Sequence, residues 1–201
     1  MKLSENRRLA FVVLAVVIAV SIVVQGSVAM QNRRGDIEVL FMEGEMHELM
    51  TRCAEQAVLI GQMATPYLAD GALAQYCTPA TAQTLQSGGY SDAAQQLESL
   101  AQQLRQAPDP NACLAAFEQL TAAVEKTYTG VDMLDLTDGQ MRDIKLAYYN
   151  YTGGVDLVSR DGDNARSYTA KAKIFNRDLI GFPANLFARA LHVEPLTTYG
   201  G

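Results

Sequence analysis

Apolar residues recur along this chain at steps of three and four for most of its length, the period of an α-helix that buries one face. From Asp36, read as an N-cap, the positions Val39, Met42, Met46, Leu49, Cys53, Ala57, Ile60 and Ala64 form one such stripe. They predict a long amphipathic helix that ends near Pro66, where the ring removes a backbone donor. The cluster of Pro66, Gly71, Pro79, Gly88 and Gly89 then predicts a long connection, holding a short helix with Thr78 as cap and Pro79 as first residue. A further helix is expected over residues 91–106, with Ala93, Leu97, Leu100 and Leu104 inward and Pro108-Asp109-Pro110 as its stop. The next starts at Asp109, buries Cys113, Phe117, Leu120, Val124 and Tyr128, and ends near Gly130.

The last element begins near Asp138 and carries Met141, Ile144, Tyr148, Tyr151, Val155 and Val158. Beyond Asp161-Gly162-Asp163-Asn164 the stripe resumes as Ala165, Tyr168, Ala172, Phe175, Leu179 and Phe182, which reads as one long helix, bent or broken at Gly162. Within it Tyr168-Thr169, Phe175-Asn176 and Phe182-Pro183 recur every seven residues, a spacing that keeps each aromatic on one stripe against a neighbouring helix. Alternating runs bounded by hairpin turns are absent, so strands are not expected. The pattern predicts an all-α protein: an up-and-down bundle of about four long helices.

The first residues behave differently. Between Leu9 and Met30 the chain is apolar or small apart from Gln25, a stretch of about 33 Å as a helix, long enough to cross a bilayer. Lys2, Arg7 and Arg8 precede it and Arg33 and Arg34 follow it, an excess that places the N-terminus on the cytoplasmic side and exports the rest. Ser27-Val28-Ala29 offers the small residues of a signal-peptidase site, but the apolar core is longer than a signal peptide needs, which favours an uncleaved anchor. The expected organisation is therefore a short N-terminal stub and anchor over residues 1–34 and one helical domain over 35–201.

Composition narrows the partners. After Arg34 the chain has 11 Lys and Arg against 21 Asp and Glu, a formal charge of −10, which excludes a nucleic-acid backbone as partner. Cys53, Cys77 and Cys113 are too few for a disulfide framework; Cys77 with Cys113 is a candidate bridge in an oxidising compartment, whereas Cys53 and Cys113 fall on apolar stripes and read more simply as small buried residues.

The stretch 167–186, with an aromatic at Tyr168, the pair Phe175-Asn176 and then Phe182-Pro183-Ala184-Asn185-Leu186, resembles the C-terminal signature of LemA family proteins. Arg166 and Leu186-Phe187-Ala188 fit the same pattern. The resemblance implies an N-terminal membrane helix followed by a bundle of long helices. Thr169 stands where the family has asparagine, and residues 161–164 interrupt a helix that is normally unbroken, so this is a divergent member. The family has no established enzymatic activity. Its relatives include proteins tied to magnetosome membranes, and its genes often neighbour those of membrane proteases, which implies a membrane-associated scaffold or adaptor.

From the residues themselves, Tyr168, Phe175 and Phe182 are expected in the core. Asn176 and Thr169 are expected to form interhelical hydrogen bonds that fix register, and Asn185 to cap or turn the chain where Pro183 redirects it.

Candidate chemistry is sparse. Glu43, Glu45, His47 and Glu48 lie together, and Glu43 with His47 has helical i, i+4 spacing, but a di-iron bundle needs carboxylates from four helices and two histidines, and the other histidine here is His192 in the tail. The run reads as a solvated face. Asp161-Gly162-Asp163-Asn164 lacks the spacing and the closing glutamate of a calcium loop. There is no Gly-x-Ser-x-Gly elbow and no phosphate-cradling glycine loop. No catalytic, cofactor or metal role is assigned. A basic interval, Arg160, Arg166, Lys171, Lys173, Arg177 and Arg189, is either the polar face of the last helix or a docking patch for an acidic partner or lipid headgroup, with Arg166, Lys173 and Arg177 as its candidates.

The expectation is a non-enzymatic, single-pass membrane protein whose bundle is a scaffold with a protein partner or a second copy of itself. The alternative is a small-molecule or metal-binding sensor on a membrane anchor. A hydrolase ranks last.

Overall fold

The computed structural model describes residues 7–190 and 192–199; Lys2 and the rest of the N-terminal stub before Arg7 lie outside them. Among the described residues the chain is all-helical, with no strand. In order the helices are α1 (Arg7–Met42), α2 (Glu45–Leu68), α3 (Asp70–Tyr76), α4 (Pro79–Gly88), α5 (Tyr90–Arg105), α6 (Pro110–Asp132), α7 (Asp138–Ser159), α8 (Tyr168–Ile180) and α9 (Ala184–Ala190).

Helix α1 is the longest element, and its most apolar stretch is uncovered by the rest of the protein. It is long and apolar enough to cross a membrane. In hydrocarbon a helix satisfies every backbone polar group within itself, which explains why a run so rich in valine and isoleucine folds this way. The same helix continues past the charged flank, so Asp36 is not an N-cap. Ile37 and Phe41 on its last turns are buried, while Val39 is exposed. The break comes instead at Glu43-Gly44, where Gly44 caps α2 in extended conformation. A Cβ on Gly44 would collide with the Leu40 carbonyl oxygen, so the turn needs glycine for space. Glu45 and Glu48 then face the positive end of α2.

Other boundaries follow local chemistry. Thr78 caps α4 with Pro79 at its first position, Asp109 accepts from the Ala112 amide ahead of α6, and Thr137 and Gln140 close a capping box on α7. Helix α2 runs through Pro66 to Leu68, two residues beyond the expected stop. Helix α3 is an addition to the expected connection.

Helix α2 packs against α5, α6 and α7, and α5 packs against α6. One apolar cluster joins Met46, Met50 and Cys53 of α2 to Leu104 of α5, Cys113 and Phe117 of α6, and Tyr151 and Val158 of α7. A second joins Ala64 and Leu68 to Leu73, Leu85, Ala94, Val131, Met141 and Ile144. Each cluster thus takes opposite ends of successive long helices. The stripe on α2 also includes Met50, Ala54, Gly61 and Leu68, so it is wider than the sequence pattern.

The expected interruption at Gly162 is a full break between α7 and α8. A single 3₁₀ turn over Asp161–Asp163 separates them, and α8 packs on α1 and α9. Ala165, two residues beyond this turn, is exposed. Phe182, expected in the core, is exposed in the corner between α8 and α9. All three thiols are free: Cys113 lies near Met50 in the first cluster, whereas Cys77 packs on the second and donates to the Leu73 carbonyl, so the two do not pair.

A candidate interaction site on the motif helix

Helix α8 begins where Ser167 accepts from the Ala170 amide and Asp161 accepts from the Thr169 amide. These two bonds turn the chain out of α7 and set which face of α8 is buried. That face is Tyr168, Thr169, Ala172 and Phe175. Tyr168 meets Phe41 of α1 edge to face at 4.8 Å between centroids, and Arg33 of α1 sits 6.0 Å over the Phe175 ring while its guanidinium bonds Asp178 at 2.9 Å. The first two aromatics of the heptad therefore clasp α1 just beyond its apolar run.

The polar groups of the motif hold a different object. Asn176 donates from Nδ2 to the Leu196 carbonyl at 2.6 Å and accepts on Oδ1 from the Leu196 amide at 2.8 Å. The Tyr168 hydroxyl donates to the Thr197 carbonyl at 2.7 Å, and Asn111 at the start of α6 accepts from the Thr197 amide at 2.8 Å. Between these clamps Leu196 is buried in the main core, and Tyr199 packs on Phe117 at 5.3 Å. Asn176 thus reads a backbone donor and acceptor on one residue, as a neighbouring strand would. It bonds a non-helical segment, residues 193–199, and not another helix. Asn111, which completes the clamp, carries no signal in the periodicity because it lies at a helix start.

Burial in the clasp pushes the Tyr168 hydroxyl up, with Glu38 adding to the rise and Arg34 opposing it, so the group stays a proton donor at neutral pH. Tyr151, hydrogen bonded to Thr121 at 2.8 Å, is raised for the same main reason. Burial raises the Cys53 thiol to about 11 and the Cys113 thiol to about 12. Such thiols are poor nucleophiles.

The remaining expected residues scatter. Thr169 donates to the Met46 sulfur at 3.8 Å, a contact between α8 and α2. Asn185 caps nothing with its side chain: its Oδ1 is buried without a partner, beside an open groove of about 820 Å³ that Asn176, Arg189, His192 and Pro195 also line. Pro183 follows a cis peptide at the corner. Arg166, Lys173 and Arg177 are exposed, and Arg177 stands 3.5 Å from Asp178. They are not paired with acidic residues across the bundle. Glu43 is exposed in the turn before α2, while His47 tilts against Phe41 with its Nε2 buried and unpartnered. Among the described residues no three His, Cys, Asp or Glu side chains gather as a metal site.

No family model matches this chain, and no curated protein or solved structure does either.

Proposed function

We propose that this protein is a membrane-anchored helical scaffold whose bundle docks a protein partner or a second copy of itself. Helix α1 is the anchor, with its start in the cytoplasm and the domain after Arg34 on the far side. Helices α2, α5, α6 and α7 form an up-and-down bundle, a reading supported by the way each apolar cluster takes opposite ends of successive helices. The resemblance of residues 167–186 to the LemA signature belongs to this reading and implies the same kind of role.

The observation that carries it is the unbroken passage of α1 from its uncovered apolar stretch into the core through Ile37 and Phe41. An anchor on a loose tether needs no such clasp. Here the helix fixes the height and orientation of the bundle over the bilayer, which suits a module that must present one face to a neighbour. The exposed cations Arg166 and Lys173 supply that face on α8 and its approach. A photoreactive residue at position 166 or 173 of the full chain in cells tests it. A reproducible crosslink to one envelope protein or to itself is expected, and its loss on Lys173→Glu supports docking. Capture of nothing at either position contradicts it.

One observation favours a second reading, a small-molecule sensor. The groove beside Asn185 has a volume in the range of ligand sites and holds an unpartnered buried oxygen. Native mass spectrometry of the purified protein separates the two: a retained ligand supports the sensor, and a bare chain the scaffold.

A further inference from the structure

The corner between α8 and α9 sits against the part of α1 where the membrane ends. A hydrocarbon core of about 30 Å takes about 20 helical residues, which from Leu9 ends near Val28. At that level the Ser27 hydroxyl donates to the Phe187 carbonyl at 2.8 Å. One residue earlier the Phe187 ring fills the place of a side chain on Gly26, where an added Cβ would come within 2.7 Å of it. Helix α9 is therefore docked on the last turn of the apolar run. Arg33, bonded to Asp178, lies six residues beyond Ser27, about 9 Å further from the bilayer centre, at headgroup height.

Descending from Asp178 toward Phe187, the chain exposes Ile180 by 81%, Phe182 by 82% and Leu186 by 48%. The first two exceed the 71% of Phe11, the most exposed apolar residue of the span itself. A soluble surface has no reason to place three large apolar side chains at one corner. A surface level with the hydrocarbon boundary does, because there each such side chain leaves water. Arg177 and Arg189 flank the corner on its polar side. Basic residues beside an apolar wedge that reaches about 5–10 Å into the leaflet form the pattern of an interfacial membrane element.

We propose that the α8–α9 corner is a second membrane contact: Ile180, Phe182 and Leu186 insert into the leaflet beside α1, and Arg177 and Arg189 meet anionic headgroups. The occupant is the bilayer that α1 crosses, because the corner is packed on α1 at that bilayer's edge. The domain's charge of −10 argues against lying flat on anionic lipid. At the corner itself the acidic groups are Asp178, bonded to Arg33 with Arg177 at 3.5 Å, and Glu194 on the groove it shares with Arg189, so two cations meet two carboxylates of which one is already held by α1. The proposal rests on α1 being retained as the anchor.

The test uses the full chain in mixed phosphatidylcholine–phosphatidylglycerol vesicles, with a bimane probe on Phe182→Cys or Ile180→Cys in a Cys77→Ser background. Cys53 and Cys113 are buried and take no label. A probe on Tyr149→Cys, exposed on α7, is the water-facing control. Flotation with the vesicles and intact mass report the anchor separately from the corner. Doxyl-labelled lipid is expected to quench the corner probes several-fold more than the control, and iodide several-fold less, with lipid quenching reduced by Arg177→Glu with Arg189→Glu. Iodide quenching equal to the control in a floated, intact protein overturns the proposal. So does protection from both quenchers, which would mean that protein covers the corner.

Discussion

Asn176 does with one side chain what a paired strand does with a backbone: it satisfies both the amide and the carbonyl of Leu196. Replacing it by alanine leaves both groups without partners in a half-buried site, which costs about 1–3 kcal/mol. Asn176→Ala should lower the melting temperature and speed amide exchange over residues 196–198. Asn176→Asp should not rescue it, since a carboxylate accepts from the Leu196 amide but cannot donate to its carbonyl. Equal protection in all three proteins would remove the clamp. The sequence spacing placed Tyr168 and Phe175 in the core correctly, because both precede the end of α8. It misplaced Phe182 because the heptad continues on paper past Gly181, where the helix has stopped. The object that Asn176 binds was not legible, since pairing with an irregular segment twenty residues away leaves no periodic trace.

Two thiols give a pH dependence at the same scale. Burial raises Cys53 and Cys113 from 9.0 to about 11 and about 12, so the folded chain holds these protons longer than the unfolded chain. Their contribution to stability is complete below pH 9 and is lost as pH climbs toward 12. Thermal melts across that window should show a steeper fall than those of a variant with both cysteines replaced by alanine. Parallel slopes would contradict the assignment.

At the scale of elements, the helix starts at Thr78, Asp109 and near Asp138 were legible because each is set by a cap or a proline within one turn. The breaks differed. Apolar steps of three and four run through Glu43-Gly44 without losing phase, so periodicity alone joins what that turn divides, whereas the break expected at Gly162 is found there because Asp161-Gly162-Asp163-Asn164 interrupts the stripe. At the first break the cause is steric: Gly44 leaves room for the Leu40 carbonyl. At the second it is polar, with Asp161, Asn164 and Ser167 each holding a nearby amide. Gly44→Ala should force α1 and α2 apart at their joint and destabilise the protein by about 1–3 kcal/mol. A melting temperature unchanged from the parent would show that the turn has room to spare.

In the whole molecule, one continuous α1 joins an uncovered apolar stretch to a packed bundle. The all-helical fold and the helix long and apolar enough to span a membrane were both readable, because each depends on residue type summed over a long run. The attachment between them was not. It depends on Phe41, Arg33 and Ser27 meeting α8 and α9, partners about 130 to 160 residues away in sequence. If α1 were removed after Ala29, the chain would lose Gly26 and Ser27 and leave α9 without its dock. Intact mass of the protein, measured in both the washed membranes and the soluble fraction of cells, settles this. A membrane-bound chain that still carries residues 9–30 is expected. A soluble chain beginning at Met30 would overturn the uncleaved anchor.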